Sequence, residues 1–344
     1  MSSLYGRKFK LQIVLNPKVN NPNSSANTFD TVVIEQDGFS PESLRVTFDI
    51  DYPGYQGWYF SEITIYNFNQ QTLMRVIEEG AAVYLEAGYQ NGPYGEIFSG
   101  YVFQSLFERE NITDYKLTLR CIDGAGLFDD NFISTALDAG HTATTRFNAI
   151  TAYSQIPIST GKVTSQLGQK ECPRAAVIHC LPTDGIREIL GFESSTKAPN
   201  NQMYVKGGQV NIVNITDKPD QDVIVISPGA GGLIGTPVQT NYGANFTCLL
   251  NPSISLSNPR KLVKLDMTTV KQMRAEVGSG PLSILDLDQE LQVIGVRHNG
   301  DTRGEEWYTN VTALNRGGMQ PIGYEGVTQR ELPQLLSNDS YGVN

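Results

Sequence analysis

Hydrophobic residues recur at every second position in several short stretches of this chain. Phe9, Leu11, Ile13 and Leu15 share one parity, Leu44, Val46, Phe48 and Ile50 repeat the spacing, and Val83, Leu85 and Ala87 repeat it again. Successive side chains of an extended backbone point to opposite faces, so this period predicts half-buried antiparallel strands, each wet on one side. Further strands are expected over 63–68, 97–107 and 115–122, the last two joined as a hairpin by polar Glu108–Asp114. One short helix interrupts the series, with Thr72 as its cap, Leu73, Val76 and Ile77 as its apolar stripe and Gly80 as its stop. So many short strands predict that residues 1–125 form a closed barrel or a sandwich.

Beyond residue 125 the alternation weakens. Phe147, Ile150 and Tyr153 lie three apart, and Ile186, Ile189 and Leu190 follow Thr183-Asp184, a plausible cap, so two short helices are expected. Pro and Asn are scattered between them, notably over 197–201. Residues 126–221 therefore read as a smaller mixed α+β domain or insertion with long loops. Strand pattern returns at 222–227, 245–250, 262–266, 291–297 and 307–314, with a turn over 299–304 between the last two. This is a second β-domain, 222–316. The tail, 317–344, is polar, with Leu332, Leu335 and Leu336 as its main apolar content, and reads as a docking arm or a disordered end. The fold class expected is thus mainly β, with two β-domains flanking a mixed one. Strand, polar connection and strand over 97–123 are echoed at similar lengths over 291–314. Hairpins are common enough that the pattern alone leaves duplication undecided.

Composition narrows the function classes. A chain of 344 residues with 40% hydrophobic and 18% charged residues is globular and long enough for two or three domains. Its 36 acidic residues outnumber 26 basic ones, for a formal charge of −10. Such a surface lacks the basic footprint that grips phosphate backbones, which disfavours stable nucleic-acid binding but not transient passage of DNA. The opening residues alternate like a strand rather than forming the apolar core of a signal peptide. No apolar run approaches the ~20 residues of a membrane span. Cys121, Cys172, Cys180 and Cys248 are few and mostly flanked by apolar residues, which reads as buried free thiols made in a reducing cytoplasm.

The candidate chemistry is sparse. Ser227–Pro237 is Gly-rich after an apolar strand, but a dinucleotide turn needs Gly at its sixth position, where Ile234 stands, and a helix where Pro237 stands. A turn between strands is the better account. His141, His179 and His298 are dispersed, and in the one cluster, Cys172, His179 and Cys180, the adjacent pair points opposite ways on an extended chain. Asp286, Asp288 and Glu290 lack the glycine and ligand count of a calcium loop and read as a charged strand edge. Neither a Gly-x-Ser-x-Gly elbow nor a His-Glu-x-x-His helix is present. A carboxylate pair of the glycosidase kind stays open, because acidic residues are plentiful. Trp58 and Trp307, in the company of Tyr55, Tyr59, Phe60 and Tyr308, read as core or subunit-interface packing before they read as a sugar platform. No catalytic, cofactor-binding or metal-ligating residue is assigned, and no cofactor is expected.

Several of these stretches resemble one family. Leu85-Glu-Ala-Gly-Tyr89, Ile97-Phe-Ser-Gly-Tyr-Val102 and Leu117–Asp123 look like the opening barrel of baseplate hub proteins from contractile-tailed bacteriophages. Gly232–Thr240, Cys248-Leu-Leu-Asn-Pro252 and Val296–Trp307 resemble the second half of the same family, so the likeness covers about 4–125 and 222–316. The resemblance implies two tube-like antiparallel β-barrel domains side by side in each subunit. It also implies a homotrimer whose six barrels join a sixfold tail tube to a threefold central spike around a DNA channel. Implied partners are tail-tube or tube-initiator proteins, the spike, baseplate wedge proteins and the tape-measure protein, in a virion assembled in the host cytoplasm. The expected role is structural rather than enzymatic. The alternatives are a tail-associated peptidoglycan or polysaccharide hydrolase and a carbohydrate-binding tail adhesin.

Overall fold

The computed structural model describes residues 6–15, 31–38, 43–54, 60–69, 81–124, 127, 131–155, 158–168, 170–191, 201–214, 217–229, 232–240, 243–266, 274–275 and 290–315. The fold is mainly β and antiparallel. The N-terminal part contributes β1 (Arg7–Val14), β2 (Thr31–Asp37), β3 (Val46–Tyr52), β4 (Ser61–Tyr66), β5 (Ala82–Tyr89), β6 (Tyr94–Arg109) and β7 (Tyr115–Ile122). The alternation that predicted them is the burial pattern: Phe9, Leu11, Ile13, Val83, Leu85, Ala87, Leu117 and Leu119 all point into one core. The helix expected around Thr72–Gly80 lies outside the described residues.

The middle part holds β8 (Ile133–Leu137), α1 (Ala143–Tyr153), β9 (Ser159–Val163), β10 (Ala176–Cys180), α2 (Pro182–Leu190), β11 (Asn201–Lys206) and β12 (Gln209–Asn214). It has its own core, in which Phe147, Ile150 and Ile186 pack with Ile178, Val210 and Ile212. Both expected helices are present, with two corrections. Tyr153 points to solvent, because α1 is covered only on the side carrying Phe147 and Ile150. Thr183 lies inside α2, which starts instead at Pro182, whose fixed φ and missing N–H suit a first helical position. The β component of this mixed part is two small sheets, β8 with β10 and β11–β12 with β9. Their strands are five or six residues long, too short for a period to stand out.

The C-terminal part contributes β13 (Val223–Ile226), β14 (Leu233–Gln239), β15 (Gly243–Leu249), β16 (Leu262–Leu265), β17 (Arg274–Ala275), β18 (Leu291–Asp301) and β19 (Trp307–Asn315). The Gly-rich run read as a turn is a turn only as far as Gly232. From Leu233 it becomes a strand, hidden in the sequence by Gly235 and Pro237. The acidic run before Glu290 and the tail from Arg316 lie outside the described residues.

The two β parts are not separate sheets. Strands β17-β14-β15-β19-β18-β3-β4-β7-β6-β5-β1-β2 run in one continuous order, with β16 on β18 and β13 on β16. Among the described residues no sheet closes on itself.

Within this sheet one arrangement occurs twice. In the N-terminal part the order is β3-β4-β7-β6-β5-β1, and in the C-terminal part it is β14-β15-β19-β18-β16-β13. Taken in chain order the six strands correspond one to one. The registers correspond as well. β6 and β7 pair with a bulge at Phe103, β18 and β19 with a bulge at Ile294, and the pairing closes with Arg109 opposite Tyr115 in one and Gly300 opposite Trp307 in the other. Val102 N–H donates to Ala81 O beside the first bulge, as Val293 N–H does to Lys261 O beside the second. Thr64 and Thr118 share a hydroxyl hydrogen bond of 3.0 Å, and at the corresponding place Thr247 donates to Asn310 Oδ1 at 2.7 Å. Because a one-residue slip would turn every side chain to the other face, agreement of register through four strands and a bulge is a repeat of the unit, not of a hairpin, while β14 departs from β3 by a register shift against β15 between Ile234 and Val238 that β3 and β4 lack. The sixth strand departs: β1 joins β5 antiparallel, whereas β13 joins β16 parallel.

Candidate functional site

An open hollow of about 420 Å³ is lined by Lys218, Pro219, Asp220, Gln221, Leu262 and Glu290; the other candidate functional features are the places where the parts join and where the sheet is left uncovered. The principal joint is the pairing of β3 with β18, from Thr47 opposite Asp301 to Tyr52 opposite Val296. Trp307, the first residue of β19, is buried across this joint in the N-terminal core. Its ring meets Phe48 edge-on at 5.3 Å, its Nε1 donates to Gly88 O at 3.2 Å, and the Arg7 guanidinium lies over it at 5.4 Å. Arg7 also donates to Asp301 O at 2.7 Å and Glu305 O at 2.9 Å, tying the first strand to the last turn. Gly300 lets Phe48 approach, since a Cβ there would sit 2.2 Å from the ring.

Charged pairs line the same joint. Arg45 holds Asp301 through two bonds of 3.2 and 2.7 Å. Burial alone would lift the Asp301 carboxyl, but Arg45 and the Arg303 and Gly304 N–H groups outweigh it and hold it below the usual range. Arg297 pairs with Asp49, which also accepts from Asn299 Nδ2 at 2.9 Å. The sequence reading of Trp307 as core or interface packing thus holds, while Trp58, Tyr55 and Tyr59 lie outside the described residues.

The middle part is tied in by Asp123. The β11–β12 hairpin turns on Gly207 and Gly208, both at positive φ, and Asp123 accepts both of their N–H groups at 2.8 and 2.7 Å. Burial nevertheless pushes this carboxyl up to about 6, against the pull of those bonds. Glu96 is raised, chiefly by burial, and Lys206 is lowered by it. His298 accepts from or donates to Thr309 Oγ1 at 2.9 Å, and burial together with Lys206 pushes its imidazole down to about 3. Perturbed groups gathered in this way are a signature to weigh for catalysis. The free space beside Asp123 is about 20 Å³ and that between Glu96 and His298 about 10 Å³, which is room for one water rather than a sugar ring. Asp123 serves as a clamp on the hairpin, a role no sequence signal marked because its partners are backbone groups 84 and 85 residues away.

The remaining sequence candidates stay apart. His179 and Cys180 do lie on an extended strand, and no group of three metal-binding side chains forms among the described residues. Cys121 and Cys248 are buried free thiols as expected, whereas Cys172 and Cys180 are only half-buried. No helix among the described residues is long and apolar enough to cross a membrane. What the sequence did not flag is a row of exposed aromatics on the far end of β6 and β7. Phe60 packs on Phe103 at 5.2 Å and Phe107 stacks on Tyr115 at 5.7 Å, with Tyr101 beside them.

No family model matches the sequence, and no curated protein matches it by sequence. Solved structures do resemble the fold. A tail protein from Neisseria meningitidis MC58 superposes with a TM-score of 0.52 at 10% identity, over 92% of this chain and 99% of that one. The 43 kDa tail protein of prophage MuSo2 from Shewanella oneidensis gives 0.50 at 10% identity, over 90% and 97%. A half-lidded Francisella PdpA–VgrG complex gives 0.50 at 9% identity, over 93% of this chain and 60% of that one. The chain therefore has the fold seen in phage tail proteins.

Proposed function

We propose, from a fold shared with phage tail proteins, that this chain is the structural hub of a phage tail baseplate. In this reading residues 1–125 and 222–316 are two tube-like β-barrel domains and 126–221 decorates them. Three copies form a ring of six such domains that joins a sixfold tail tube to a threefold spike and surrounds the channel for DNA. The observation that carries the reading is the register-matched repeat, joined edge to edge within one chain by β3 and β18. A subunit made of two like units is what adapts a threefold partner to a sixfold one, and a closed ring removes free sheet edges from the wall. The net charge of −10 suits a wall that passes a genome without holding it. That one neighbour is part of a PdpA–VgrG complex is consistent with a hub that assembles with other proteins. The test is light scattering on the purified chain across a concentration series, alone and with a spike protein. A mass of three chains is expected, and a stable dimer would overturn the reading.

A further inference from the structure

The internal repeat shows what the C-terminal part lacks as well as what it shares. β13 is the counterpart of β1 in chain order. In the N-terminal part β1 holds β5 on one edge and β2 on the other. β2 sends Ile34 into the core, with Val32 packed against it. In the C-terminal part the chain passes from β13 to β14 through 227–232 alone, where Leu233 N–H donates to Ser227 O at 3.0 Å, so a strand equivalent to β2 is missing. β13 pairs with β16 on one edge, and no described strand lies on the other.

That edge is open in backbone and in side chains. Ile226 O accepts from Asp266 N–H, which turns the N–H and C=O of Ile224 and Ile226 toward β16. Successive residues of a strand alternate, so the same groups of Val223 and Val225 face away from it. Val225 is 56% exposed. Native sheets cover such an edge or blunt it with charge or Pro, and Val223–Ile226 carries neither.

The tail from Arg316, outside the described residues, has the reach and the chemistry to cover it. Asn315 stands opposite Leu291, Leu291 opposite Val263 and Val263 opposite Ile224, so one row of the sheet runs from the start of the tail to β13. At about 4.8 Å per strand this row is about 15 Å across. Leu332 lies an extended reach of about 55 Å beyond Asn315. We infer that the tail around Leu332–Leu336 pairs with the outer edge of β13 in its own chain, as the strand that β2 supplies in the N-terminal part. Leu335 and Leu336 take opposite faces of an extended strand, as Val225 and Ile226 do. One then lies on exposed Val225, and the other fills beside Ile224 and Ile226 the place that Ile34 takes in the N-terminal core. Pro333 has no N–H to offer, which suits a strand that becomes the new edge. The inference does not depend on the hub reading, since it concerns how one chain completes its own sheet.

The test is native-state hydrogen exchange, resolved by residue, on the full chain and on Leu335→Asp with Leu336→Asp. Val225 N–H should exchange about ten-fold or more slowly than a free peptide in the parent and lose that protection in the variant. Ile226 N–H, which points at β16, should stay slow in both and reports that the sheet is intact. Dilution should change neither rate. Fast exchange of Val225 in the parent overturns the inference. Protection that survives both substitutions does so too, because another segment then covers the edge. Protection that falls away on dilution replaces the chain's own tail with that of a second copy. A second readout keeps the tail leucines' packing largely in place: Val225→Cys with Leu335→Cys should link on oxidation without a change in mass. Each single variant reports background from the native thiols. A pair of Leu335→Cys with Val177→Cys, exposed on the middle part, should not link; equal linkage of both pairs would mean that the tail has no fixed place.

Discussion

Trp307 concentrates the energetics of the joint. Burying an indole removes on the order of 200 Å² from water, equivalent to several kcal/mol, whereas the half-exposed Arg297–Asp49 pair adds about 0–1 kcal/mol. The aromatic holds the halves together and the charges set their register. The two titratable groups beside the joint oppose one another in acid. His298, held down to about 3, stays neutral in the fold, so its stabilisation is complete above the unfolded value of about 6.5 and is lost as pH falls toward 3. Asp123, raised to about 6, takes a proton more readily in the fold than unfolded, so it stabilises increasingly as pH falls from 6 toward 4. Each contributes a slope of about 1.4 kcal/mol per pH unit in its window, and between pH 6 and 4 the two cancel. Urea unfolding over that range should therefore show a steeper acid loss for Asp123→Asn than for the parent, and a gain on acidification relative to the parent for His298→Gln. Parallel curves for all three would contradict the assignment. Of these residues the sequence marked Trp307 through its aromatic neighbours. It weighed His298 only as a metal ligand and was silent on Asp123, whose partners lie 84 and 85 residues away in the chain.

At the scale of elements, period-two burial was readable wherever one sheet face packs on a core, as in Phe9–Leu15 and Val83–Ala87. It failed at β14, where Gly235 and Pro237 break the pattern and Leu233 and Ile234 were taken for part of a turn. It failed also in the middle part, whose short strands fold around a separate small core. The repeat was visible only as two hairpins of similar length, because corresponding positions diverged with their surroundings: Phe107 with His298, Leu106 with Arg297. The joint itself depends on β3 and β18, some 250 residues apart, and on Gly300 admitting the Phe48 ring. Gly300→Ala should cost about 1–3 kcal/mol by overpacking, and Phe48→Leu in the same chain should restore part of that loss. Additive losses in the double variant, measured by denaturant unfolding, would show that the two residues do not meet.

At the scale of the whole molecule, one continuous sheet passes from the N-terminal to the C-terminal part through the β3–β18 pairing, and its matched strand order makes the chain a pair of like units. The sequence showed that two β regions flank a mixed one and resembled a hub family. It did not show how they pair, since strand adjacency is a property of the assembled sheet. The measurement that bears most directly on this account is an electron-microscopy reconstruction of the assembled protein computed without imposed symmetry. It should show a ring of six similar lobes, alternating in detail with threefold repeat around an open channel. A twofold particle, or a ring of three lobes rather than six, would contradict it.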